Sequence, residues 1–228
     1  MCEGDRGRSA AVRLQSLQAA HRACVRCVEA GFLAEARPVF SGQPGQRILL
    51  VGQAPGPVER DRTRPFAGRA GRQLMRWFGR AGFAGEDDVR RRVYMTSMTT
   101  CFPGRTPDGR GDRRPSSREV ALCSGWLDAI LELLQPRLVI PIGGLAIARF
   151  LPGWSLEDAV GRLFDAGGHP VVEVSFPAPV EGFGPAPLLL PLPHPSGQSR
   201  WLNVPDHATR LEDALSRLPG LTLWAESG

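Results

Sequence analysis

The sequence predicts an α/β layer fold with a mostly parallel central sheet. Short apolar runs, Arg47–Gly52, Val93–Thr96, Leu138–Gly143 and Leu188–Pro193, all but the second closed by glycine or proline, read as strands. Stretches with helical apolar spacing lie between them, so strands alternate with helices. The chain has 228 residues, 42% of them hydrophobic, enough to bury a sizeable core.

The elements follow in order. From about Ser9 to Phe32 a loose apolar stripe predicts a helix, with Cys24-x-x-Cys27 near its end. Pro, Gly and Gln make 38–46 a loop, and Arg47–Gly52 is the first strand. The turn Gln53-Ala54-Pro55-Gly56 follows, then 57–65, charged and proline-flanked, reads as an exposed loop. Gly68–Ala81 is a helix with Leu74, Trp77 and Phe78 on its apolar side, and Val93–Thr96 the second strand. Residues 102–116 form a long polar loop before the amphipathic helix Ser117–Leu134, capped by Ser116 or Ser117. The strand Leu138–Gly143 leads into a helix ending near Phe150. Val171–Phe176 reads as a strand, 177–187 as a loop, Leu188–Pro193 as a buried strand, and Pro205–Leu218 as the last helix. With no repeat and no clean linker, 1–228 reads as a single domain whose motif-bearing core spans about 20–215.

Composition narrows the function. The longest apolar stretch, Leu138–Trp154, is broken by prolines, glycines and Arg149, so no membrane span is expected. The N-terminal residues carry charges of both signs and no apolar run, unlike a secretory signal, so a reducing, cytoplasmic setting is expected. The net charge of +5, carried on the basic side by arginine alone, suits a polyanionic partner or simply a basic soluble protein.

In open parallel sheets ligands bind beyond the carboxyl ends of the strands. Gly52-Gln-Ala-Pro-Gly56, Ser97, Gly143-Gly144 and His194-Pro-Ser196 all fall there, and their convergence marks the candidate site. Of the five cysteines, Cys2 looks spare. Cys24, Cys27, Cys101 and Cys123 provide four thiolates for zinc or an iron–sulfur cluster, with a spacing that fits no zinc ribbon. Buried, inert cysteines are the alternative.

These motifs, in this order, resemble the iron–sulfur branch of the uracil-DNA glycosylase superfamily, its family 4 and near relatives. The resemblance rests on Cys24-Val-Arg-Cys27 and on Gly52-Gln-Ala-Pro-Gly56, with Pro65-Phe-Ala-Gly-Arg-Ala-Gly71 after eight residues. Cys101, the proline-rich loop, Cys123 and Leu192-Pro-His-Pro-Ser196 complete it. It implies a three-layer α/β/α fold. Cys24, Cys27, Cys101 and Cys123 would ligate a [4Fe–4S] cluster, with zinc as the alternative. The reaction would be hydrolysis of the N-glycosidic bond of uracil, or another deaminated base, flipped out of DNA. Phe66 would stack on the base, with Gly52, Ala54 and Ser97 around it. Gln53 would hold water, and His194 would donate to the base oxygen. Ser196, Arg200, Trp201 and Leu202 would meet DNA, Trp201 or Leu202 as a wedge, and Arg113 and Arg114 would contact phosphates. The partner would be DNA, met by a monomer. No histidine lies between His21 and His169, so covalent attack by a loop histidine is not expected.

Two positions depart from the family pattern. Gln53 stands where family 4 has glutamate, and an amide cannot take a proton; Glu59 and Asp61 are the nearest acids. Ser97 stands where an asparagine would read the uracil edge. Both keep open a weak or inactive DNA-binding member of the superfamily, and a zinc-dependent nucleoside or nucleotide hydrolase is the third reading.

Overall fold

The computed structural model describes residues 3–171, 186–196 and 200–227; for 3–9 and Arg200 only the backbone is described. The expected strand 171–176 and loop 177–187 fall largely outside these residues, as do Cys2 and Gly197. Strands β1 (Ile48–Gly52), β2 (Val93–Ser97) and β3 (Leu138–Pro141) are buried along their whole length, as apolar runs covered on both faces must be. With β4 (Leu163–Phe164), β5 (Pro170–Val171) and β6 (Leu188–Leu189) they form a six-stranded sheet in the order β2-β1-β3-β6-β4-β5. Pairing is parallel from β2 to β6 and antiparallel at the β4–β5 edge. The run after β6 stays in register through Leu190 N–H to Val139 and Leu192 N–H to Pro141, which carries the chain to His194.

The helices are α1 (Glu3–Arg22), α2 (Arg26–Glu29), α3 (Pro57–Arg62), α4 (Arg69–Arg80), α5 (Glu86–Arg92), α6 (Ser117–Leu134), α7 (Gly144–Phe150), α8 (Leu156–Ala159) and α9 (Pro205–Glu226). The architecture is three-layer α/β/α. None of the described helices is long and apolar enough to cross a membrane.

Three local readings are corrected, and one helix, α5, is added. The first helix is not continuous to Phe32: it ends at Arg22, and Cys24 sits in the break before α2. Residues 57–62 are helical rather than loop, because Pro57 suits the first helical position and the Glu59 carboxylate reaches back to Gly56 N–H. α5 escaped the periodicity because Val89 alone is buried; its order comes from acids in the first turn and arginines in the last. α9 runs through Pro219 to Glu226, since Leu221, Trp224 and Ala225 are buried and Arg92 pairs with Glu226 through two bonds. Tertiary packing there outweighs the lost proline bond.

Candidate active site and thiol pocket

The strand order reverses at β1, with β2 on one side and β3 on the other, so a crevice opens at the carboxyl ends. A cleft of about 570 Å³ lies there, lined by Gly52, Gln53, Ala54, Phe66, Ser97, Gly143, His194 and Ser196 among others. The expected site residues from β1, β2, β3 and β6 therefore meet in one cavity.

Its floor is built by close backbone approach. A Cβ on Gly52 would stand 3.2 Å from Phe66 Cζ, so the ring lies across Gly52. Phe66 itself has φ 53°, a left-handed conformation that a bulky residue adopts only when its surroundings hold it there. The hold comes from α4, whose Gly71 packs on the Phe66 carbonyl. Glu59 joins the two motifs: Oε2 accepts from Gly56 N–H at 3.2 Å and Oε1 from Gly68 N–H at 2.8 Å. That brace gives the eight-residue gap between the motifs a physical reason. Asp61, by contrast, pairs with its neighbour Arg60 and is exposed.

His194 enters from beyond β6. Nδ1 accepts from Ser196 N–H at 3.2 Å and lies 2.9 Å from Ser196 Oγ. An acceptor Nδ1 places the proton of a neutral imidazole on Nε2, which makes no hydrogen bond within the described residues. Burial lowers the His194 pKa, against a weaker upward pull from Glu59. Ser97, 8% exposed, stands opposite Gly52 in the β1–β2 register.

Two of the expected DNA contacts have partners within the fold. Trp201 is 6% exposed and stacks on His207 at 4.2 Å, so it packs inside rather than projecting as a wedge; Leu202 is half-buried. Arg113 lines the cleft, and its guanidinium makes two 2.7 Å bonds to Glu119. Arg114 is exposed, with no ion pair among the described residues, and the Arg200 side chain lies outside them.

Glu119 is a residue the sequence reading passed over. It is the N3 position of a capping box with Ser116 and its side chain is 4% exposed. The bonds from Arg113 lower its pKa from 4.5 to about 2. Its stabilisation is therefore complete above its ordinary 4.5 and lost as pH falls through about 2. Glu119→Gln is expected to cost about 3 kcal/mol at pH 7, with the gap to the parent narrowing below pH 4.5 in denaturant titrations.

Cys24, Cys27, Cys101 and Cys123 line a second, small pocket, all as free thiols. Trp126 Nε1–H donates to Cys24 Sγ at 3.3 Å, and Thr100 Oγ1 lies 3.6 Å from Cys123 Sγ. Joined to the pocket through Trp126 is a layered stack missed from sequence: buried His21 between Phe40 and Trp126, with Arg22 over the Phe40 ring and Arg26 over the Trp126 ring. Burial pushes the Cys27 and Cys123 thiols up and Cys101 to about 12. Among the described residues no three His, Cys, Asp or Glu side chains close around a single ion. Four thiols around one pocket are a donor set suited to a thiolate-bound metal centre.

The sheet and cleft define an α/β protein with a candidate site at the topological switch point, lined by the Phe66 ring and the His194 imidazole. Residues 39–216 match the family model described as the uracil DNA glycosylase superfamily, and the chain belongs to that superfamily. It is 31% identical to the type-4 uracil-DNA glycosylase of Thermotoga maritima, over 61% of this chain and 69% of that protein. With the type-4 enzyme of Sulfurisphaera tokodaii it shares 29%, over 53% of this chain and 50% of the relative. A type-5 uracil-DNA glycosylase of Thermus thermophilus is 33% identical, over 59% and 63%. The chain thus spans from half to about two thirds of the length of these relatives.

Proposed function

We propose that the protein is a DNA glycosylase that hydrolyses the N-glycosidic bond of uracil flipped out of DNA. The observation that carries this reading is the pair that lines one cleft, the Phe66 ring across Gly52 and the His194 imidazole whose Nδ1 accepts from Ser196 N–H. A flipped pyrimidine stacks on Phe66 and leaves as an anion, whose oxygen accepts from His194 Nε2–H. Ser196 holds the imidazole through Nδ1. Gln53 holds water at the end of β1, and Ser97 meets the base edge. Unstacking the nucleotide costs a few kcal/mol, met by phosphate contacts from exposed arginines such as Arg114.

Cys24, Cys27, Cys101 and Cys123 would hold a [4Fe–4S] cluster. Bound there, it would tie the α1–α2 break, the segment after β2 and α6 to one centre. Free thiols suit a reducing, cytoplasmic setting.

The test is single-turnover excision from single- and double-stranded oligonucleotides carrying one uracil, with protein assayed for iron and acid-labile sulfide. Alkali-labile abasic product from cluster-loaded protein is the expected result. Tight, salt-dependent DNA binding without excision of uracil would overturn the assignment.

A further inference from the structure

A water that attacks the sugar must give up a proton, and neither Gln53 nor Ala54 can take it. The described carboxylates that line the cleft are Glu59 and Asp112. Glu59 has both oxygens engaged as backbone acceptors, at Gly56 and Gly68. Asp112 is engaged at one: Oδ1 pairs with Arg105 at 3.2 Å, and Oδ2 makes no bond within the described residues. That oxygen lies 3.1 Å from where a Cβ on Gly56 would stand, so it borders the turn that follows β1.

The backbone holds this placement. Arg105 and Asp112 form an antiparallel bridge, with Thr106 N–H to Gly111 and Arg113 N–H to Gly104, both at 2.9 Å. The adjacent Arg113 is pinned to Glu119 at the start of α6. The segment between Cys101 and Cys123 is thereby folded back to present one carboxylate to the cleft.

Resting on the glycosylase reading, we propose that Asp112 is the general base of this protein, replacing the acid that Gln53 lacks. The bond between C1′ and the base nitrogen breaks, and its electron pair leaves with the base toward His194. The water oxygen bonds to C1′, and its proton passes to Asp112 Oδ2 and from there, through solvent, to the departed base. The products are the free base and an abasic sugar. Arg105 and Arg113 from the same hairpin and Glu59 from α3 are the charged groups around Asp112, with His194 and Arg69 elsewhere on the cleft wall. Burial and Glu59 raise the carboxyl pKa and Arg105 opposes them, with the balance upward, in the direction a base requires.

The experiment compares the parent protein, Asp112→Asn and Arg105→Ala, each with cluster content and thermal melt recorded. Single-turnover uracil excision is measured across pH, and oligonucleotide binding by anisotropy. Asp112→Asn is expected to slow excision about 10²- to 10⁴-fold with binding unchanged or tighter. Arg105→Ala is expected to move the acidic limb of the rate profile to higher pH, a shift that a merely structural role would not produce. Parent protein that excises while Asp112→Asn matches it, acidic limb included, overturns this inference alone. Parent protein that excises no uracil overturns the glycosylase reading and this inference with it.

Discussion

His194→Ala is expected to slow single-turnover excision by about 10²- to 10³-fold, the usual cost of removing one donor to a developing oxyanion. The geometry argues for a rate effect rather than a folding effect. The ring lines the cleft, and its described hydrogen bonds are to Ser196, two residues away. Uracil-oligonucleotide binding should change far less than the rate. A second consequence follows from the lowered pKa. Between the ordinary 6.5 and the depressed folded value, the unfolded chain binds a proton that the folded chain refuses. The stability His194 contributes is therefore complete above about pH 6.5 and lost as pH falls through the folded value. Protonation would also put a donor on Nδ1 facing Ser196 N–H, breaking the contact that orients the ring. Chemical denaturation of parent and His194→Ala from pH 8 to pH 5 should show their stabilities converging as pH falls. A variant with parental excision would remove His194 from the chemistry.

The cleft was legible in the sequence because its parts are short and end strands. An apolar run that ends in Gly52, another that ends at Ser97 and a third that leads to His194 have one common destination in a parallel sheet. The acids were not legible in the same way. Glu59 and Asp61 are two residues apart in the chain, yet one braces two backbone amides while the other faces solvent. Helix α3 decides which, and its charged, proline-flanked sequence gives no apolar period. Asp112 is 59 positions after Gln53 and reaches the cleft through a hairpin of polar residues. Arg113 looked like a free phosphate contact because its partner, Glu119, belongs to the next helix. Trp201 follows the histidine motif as a wedge would, but its burial depends on α9 packing against it through His207. In each case the missing information was a partner distant in sequence.

Gly71→Ala is expected to be among the most damaging single substitutions in the chain, though helix propensity predicts the opposite. In an exposed helix interior, glycine to alanine gains up to about 1 kcal/mol. Gly79, on the same helix, has nothing within 4 Å of an added Cβ, so Gly79→Ala should realise that gain. At Gly71 the added Cβ would fall 1.7 Å from the Phe66 carbonyl oxygen and 2.3 Å from its carbon. Those are backbone atoms, and Phe66 is already held at φ 53°, so no rotamer change relieves the overlap. Either α4 withdraws from the cleft wall or the Phe66 peptide turns, and both move the ring off Gly52. The expected cost is about 3 kcal/mol or more, read as a lower midpoint in denaturant, with excision reduced more than about tenfold in the folded fraction. Because the two substitutions are chemically identical and share one helix, the difference between them isolates the contact with Phe66. Equal stability of Gly71→Ala and Gly79→Ala would show that α4 does not clamp Phe66, and the strained φ would need another cause.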